Sequence, residues 1–178
     1  EKPIDYHTVI TYVEALTRVF VVEDLPAWSP TLRSRSVLRS SATRHFVDPS
    51  LAAAALGASP ERLLRDTETL GLLFESLVIR DLRVYGQAMG ASVFHYRENT
   101  GLEVDAILQM RDGSWAALQA KLGQKDIDAG AVSLLRVADR VDIERHGAPA
   151  FLAVITGWGP AYQREDGVFV IPIGTLTA

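Results

Sequence analysis

The chain has 178 residues, 48% apolar and 22% charged, with 18 Lys and Arg against 22 Asp and Glu, for a net charge of −4. That is the profile of an ordinary globular chain with room for one domain and an appendage, and it excludes wholesale disorder, collagen-like repeats and a general basic coat for nucleic acid. Cysteine is absent, so disulfides, thiolate metal sites and cysteine nucleophiles are excluded together.

His7, His45, His95 and His146 show no short metal-ligand spacing. No apolar run approaches the roughly 18 residues of a membrane span, and the N-terminus lacks the order of a signal peptide. No membrane association and a cytoplasmic location are therefore expected, which suits a chain without cysteine. A start at Glu1 without a methionine leads to the expectation of an excised fragment or of disordered residues before it.

Residues 4–18 place Val9, Tyr12, Val13 and Leu16 on one helical stripe that Val19 continues, with Asp5 as N-cap. A β-rich run at 19–22 follows, closed by the turn signals Pro26 and Pro30. This opening piece is too small to bury a core of its own. Between Asp24 and Asp48 there is no acid, while Arg33, Arg35, Arg39 and Arg44 occur among serines. The stretch reads either as a solvated linker or as a track that contacts phosphates.

Residues 44–48 predict a short strand, and Pro49 opens a helix closed by Gly57. Ser59, Pro60 and Glu61 start a further helix, predicted to reach Met89 with a bend near Gly71 and a stop at Gly90. Strands are predicted at 92–97, 102–110 and 114–122, a helix at 127–140, and two more strands at 151–156 and 168–173. Trp28, Trp115 and Trp158 read as core or rim aromatics.

Glu75 carries the first chemical signal. At 100° per residue, Leu72, Val78, Ile79 and Leu82 fall within about 60° of it, so its carboxylate needs a cation or donor partner. The hairpin at 102–122 can supply partners. Glu103, Asp105, Ile107 and Gln109 alternate on one strand, and Trp115, Ala117, Gln119 and Lys121 on the other. A two-residue turn would set Asp105 opposite Ala120. A three-residue loop at 111–113, with Gly113 left-handed, sets Asp105 opposite Gln119 and Glu103 opposite Lys121. The second register gathers the polar side chains and is the one predicted. Two carboxylates and an amide oxygen are donors of the kind Mg²⁺ takes. A lysine beside them can orient or deprotonate water, or neutralise charge on a phosphate.

Asp105, followed a hairpin later by Gln119–Ala120–Lys121 and preceded by Glu75 on a helix, resembles the PD-(D/E)XK nuclease superfamily, whose element order is also similar. More specifically, the chain resembles the C-terminal domain of unknown function of prokaryotic AAA-type P-loop ATPases. The matching segments include Thr8–Val9, Leu25–Pro26–Ala27–Trp28, Arg44–His45–Phe46–Val47–Asp48–Pro49, Gly71–Leu72–Leu73–Phe74–Glu75 and Gly101–Leu102–Glu103–Val104–Asp105.

The resemblance implies an α/β restriction-endonuclease-like core of helix, three strands, helix and strand. It divides the chain into a winged-helix remnant at 1–28, an Arg/Ser-rich connector at 29–45 and a nuclease-like domain at 46–178. ATP would bind only in an ATPase module upstream, the expected protein partner. Glu75, Asp105 and Gln119 would hold Mg²⁺ or Mn²⁺, Lys121 would be the catalytic lysine, and Arg33, Arg35, Arg39 and Arg44 would meet nucleic acid. Gln119 stands where the superfamily usually has an acid, which removes one negative charge. Two functions are thus expected: Mg²⁺-dependent phosphodiester hydrolysis, or an inactive nucleic-acid- or protein-interaction module regulating the ATPase.

Overall fold

The computed structural model describes residues 4–30 and 41–177. Helix α1 (Tyr6–Arg18) starts where Asp5 accepts a hydrogen bond from the His7 amide, as its sequence predicts, and none of its residues is buried. Strand β1 (Val22–Leu25) begins later than the 19–22 run, because the helix unwinds through Phe20 at φ 58°. It pairs antiparallel with β2 (Thr43–Phe46).

Helix α2 (Pro49–Ala55) is capped by Asp48 and α3 (Pro60–Arg65) by Ser59. The single bent helix predicted up to Met89 is in fact two. Asp66 ends α3, and its carboxylate accepts from the Thr69 amide and hydroxyl to open α4 (Thr67–Met89). The break thus falls at the capping residue and not at Gly71, which lies inside the continuous helix. Gly90, at φ 75°, ends α4.

Three strands follow, β3 (Ser92–Arg97), β4 (Glu103–Gln109) and β5 (Trp115–Lys121). Then come α5 (Ile127–Arg140), the short α6 (Ile143–His146), β6 (Leu152–Thr156), β7 (Tyr162–Gln163) and β8 (Phe169–Pro172). They form one mixed sheet in the order β3-β4-β5-β6-β8-β7. β3, β4 and β5 are a local antiparallel meander, whereas β5, β6 and β8 run parallel.

Helices cover both faces of the sheet. On one, Phe74, Val78, Ile79 and Leu82 of α4 pack with Leu25, Ala106, Leu118 and Ile155. On the other, Ile127, Ala131, Leu134 and Val137 of α5 pack with Ile107, Ala117, Val154 and Val170. Every residue of β6 is buried, as expected for a central strand with apolar layers on each side. Trp28 joins the second layer with its ring 5.0 Å from that of Trp115, while Leu25 joins the first, so the 22–28 segment seals both cores. None of the described helices is long and apolar enough to cross a membrane.

Two helical glycines offer a paired test of this packing. A Cβ on Gly71 would meet nothing within 4 Å, whereas one on Gly130 would lie 3.2 Å from Lys121 Cγ, 3.3 Å from Val154 Cγ2 and 3.4 Å from Gln119 Cγ. Gly71→Ala should therefore stabilise by about 0.5–1 kcal/mol through helix propensity alone. Gly130→Ala should lose about 1 kcal/mol, because overpacking against buried Val154 outweighs that gain. Urea unfolding of the two variants reads both signs.

Candidate active site

The site begins with a turn. Gly113 sits at φ 91° and its amide donates to the Met110 carbonyl (3.0 Å), while the Met110 amide donates to the Ser114 carbonyl (2.9 Å). The Asp112 carboxylate accepts from the Ser114 amide and hydroxyl, closing the loop. This is the three-residue loop, and the ladder runs from Gln109↔Trp115 to Ala106↔Leu118 in the predicted register.

Beyond Ala106 the strands depart from simple alternation. Phe94 pairs with Ile107 but Tyr96 with Val104, so Asp105 and Ala106 together face His95. Such a bulge reverses the pleat. Val104 and Ile107 consequently share one core layer and Ala106 enters the other. The expected single polar face over β4 and β5 is therefore corrected. Glu103 is exposed and pairs with Arg97 (3.5 Å), not with Lys121, which forms no ion pair with a described residue.

Asp105 gains a different role from the bulge. Its Oδ2 accepts from the Ala120 amide (2.8 Å), where the carboxylate replaces the backbone ladder, and it hydrogen-bonds the Gln119 side chain. Burial pushes its carboxyl up to about 6, against the pull of the Ala120 amide and of Lys121. Glu75 is pushed up to about 7, first by burial and then by repulsion from Asp105 and Glu103, with Lys121 opposing. Val78, Ile79 and Leu82 are buried around it as expected, but Leu72 is 64% exposed, so the apolar arc is narrower than predicted.

Gln119 and Lys121, two residues apart on β5, both lie against Gly130 of α5, which has no side chain to hold that helix away. Gln119 is 5% exposed and its Oε1 has no hydrogen-bond partner among the described residues. The predicted side chains are thus electrostatically linked, yet they line two adjoining cavities. Glu75 and Asp105 border one of about 240 Å³, and Gln119 and Lys121 border one of about 600 Å³. Glu103 borders both.

His95 is an addition that the sequence did not signal. It is buried, its Nε2 has no partner among the described residues, and it lines the smaller cavity beside Glu75 and Asp105. A lone histidine in an alternating strand carries no spacing cue. Arg33, Arg35 and Arg39 lie outside the described residues. Arg44 is exposed on β2 and ion-paired with Asp24 (2.9 Å).

Among the described residues no group of three or more His, Cys, Asp or Glu could hold a metal ion. The donors at hand are two carboxylates and one amide oxygen. The orphaned Gln119 Oε1 is a buried oxygen lacking a donor, and the two carboxylates repel each other, two features that a hard cation would relieve.

The class of molecule is clear at this point: a mixed α/β domain with a six-stranded sheet carrying a carboxylate, amide and lysine cluster where β4 and β5 part. The family described as a domain of unknown function, DUF4143, matches residues 70–176, and the chain belongs to it. A second domain of unknown function, DUF8612, matches residues 1–62. No curated protein matches. One similar solved chain comes from a half-complex of Thermococcus gammatolerans McrB AAA+ hexamers with bound McrC, at 12% identity and a TM-score of 0.39. That match covers 92% of this chain and 59% of the other, so the chain spans less than two thirds of its length.

Proposed function

We propose that this domain is a nuclease-like part of a prokaryotic ATPase and hydrolyses phosphodiester bonds of nucleic acid with Mg²⁺ or Mn²⁺. The observation that carries the reading is the Asp105–Ala120 hydrogen bond. It sets the carboxylate beside Gln119 and Lys121, with Glu75 near enough to feel its charge. The succession α4, β3, β4, β5, α5, β6 supports a restriction-endonuclease-like core of the PD-(D/E)XK type, with 1–28 as a winged-helix remnant and 46–178 as the nuclease-like unit. ATP belongs to an ATPase module upstream.

Glu75, Asp105 and Gln119 would hold the cation, which would supply a Lewis acid and a more acidic water. Lys121, with no ion pair to a described residue, would orient the attacking water and offset the negative charge growing on the phosphate. The P–O bond to the leaving sugar oxygen would break as the bond to the water oxygen forms, the water losing a proton to solvent and the leaving oxygen gaining one, to give a phosphomonoester and a free hydroxyl. Asp105, held by the Ala120 amide, gives this arrangement a fixed point.

Gln119 favours a second reading, a non-catalytic interaction module that regulates the ATPase, because an amide binds Mg²⁺ less tightly than a carboxylate. Plasmid and single-stranded substrates in Mg²⁺ or Mn²⁺ separate the two. Cleavage by the unaltered protein, lost in Asp105→Ala and in Lys121→Ala, is the expected result. Cleavage that survives both substitutions comes from another protein and sinks the proposal. Absence of cleavage leaves the interaction module.

A further inference from the structure

The hydrolytic reading uses only one rim of the larger cavity, yet the opposite wall is basic. Ser133, Arg136 and Arg140 stand three and four residues apart on α5, so they form one stripe, and all three line the cavity with Lys121. Arg136 and Arg140 are exposed, and neither has an ion pair with a described residue. The opposing acids are few or occupied. Glu103 is held by Arg97, and Glu98, which feels Arg140, takes hydrogen bonds from the Tyr96 and Thr100 hydroxyls. Asp139 alone among the lining acids forms no ion pair with a described residue. In a chain of net charge −4, this is a local concentration of free cations.

The cavity also ends on a polar wall. The unpartnered, buried Oε1 of Gln119 belongs to a side chain that lines it. Its volume of about 600 Å³ is that of a small-ligand site, room for a nucleotide or two and not for the full width of a duplex. Guanidinium forks match phosphate oxygens in pairs, which an isolated ammonium does not.

We infer that this cavity binds a phosphodiester strand, with Arg136 and Arg140 holding the phosphate next to the one at Lys121 and the Ser133 hydroxyl donating to it. The inference rests on the hydrolytic reading for the position of the strand. The pair of arginines is a binding device, and Lys121 is the group shared between it and the reacting phosphate.

The test measures binding without turnover. A short fluorescein-labelled single-stranded DNA is titrated in EDTA across a range of salt, and anisotropy is read for the unaltered protein, Arg136→Ala/Arg140→Ala, Arg136→Lys/Arg140→Lys and the hairpin-tip control Arg111→Ala. The double alanine variant should bind at least about tenfold more weakly, with a salt slope shallower by about 0.7 for the one lost phosphate contact. The lysine pair should recover the slope but only part of the affinity, and Arg111→Ala should resemble the unaltered protein. Equal affinity and slope in the double alanine variant overturn the inference, as does failure of the unaltered protein to bind at low salt. Cleavage in Mg²⁺ is scored separately. Arginine-dependent binding without cleavage by the unaltered protein removes the hydrolytic reading and leaves the strand-binding cavity standing.

Discussion

Trp115→Ala should unfold at markedly lower urea, with a stability loss of about 3–5 kcal/mol, the range for truncating a fully buried aromatic. Trp115 is 2% exposed at the start of β5 and packs in the layer beneath α5. Three contributions are lost together. The indole's apolar area returns to water, the tilted contact with Trp28 at 5.0 Å disappears, and the bond from its Nε1 to the Gly147 carbonyl (3.2 Å) goes unmade. The vacancy cannot close easily, because Ile107, Val154 and Leu134 around it are themselves fully buried in sheet and helix. Trp115→Phe keeps most of the area and should cost only about 1–2 kcal/mol. A loss under about 2 kcal/mol for the alanine variant would mean that the layer repacks.

Glu75→Gln should behave in the opposite way, with a gain that grows as pH rises from about 4.5 to about 7. The carboxyl of Glu75 titrates near 7 in the folded chain against an ordinary value of 4.5, so the folded state holds its proton more tightly than the unfolded one. Stability therefore falls as pH rises from about 4.5 to about 7 and stays reduced above that. An amide does not titrate. The variant should match the unaltered protein near pH 4 and exceed it by about 2 kcal/mol at pH 8, somewhat less than the whole shift because Glu75 is only half-buried. Thermal unfolding at the two pH values measures the difference, and millimolar Mg²⁺ should narrow it by stabilising the unaltered protein at pH 8. A flat profile for the unaltered protein would show that water already satisfies the carboxylate. Under the proposed hydrolytic reading, the same substitution should also abolish metal-dependent cleavage.

Much of the framework was legible because its signals are local. The apolar spacing of 127–140 marked α5 to its ends, whereas the 111–113 loop allowed two β4–β5 registers, and the correct one was favoured by a single polar face that the strands do not keep. The Asp66 cap was equally local: an Asp three residues before Thr69 is an N-cap signature, and the bend was placed at Gly71 instead. The short α6 and β7 were missed, since elements of four and two residues carry almost no periodicity. The bulge was not legible at all. Nothing within 103–109 says that two of its residues will face a single histidine on the neighbouring strand. Hence Gln119 and Lys121 could be placed together from their spacing, while Asp105 was assigned to an alternation that the strand does not keep. The exposed Leu72 shows the limit of a helical wheel, which gives direction but not which directions find a neighbour.

That extra residue in β4 releases position 105 from the two apolar layers and leaves it one backbone amide to serve. With Val104, Ala106 and Ile107 already serving the two apolar layers, an acid or its amide at 105 can accept from the Ala120 amide while the scaffold endures. A change of charge at this one position is thus separable from a change of fold.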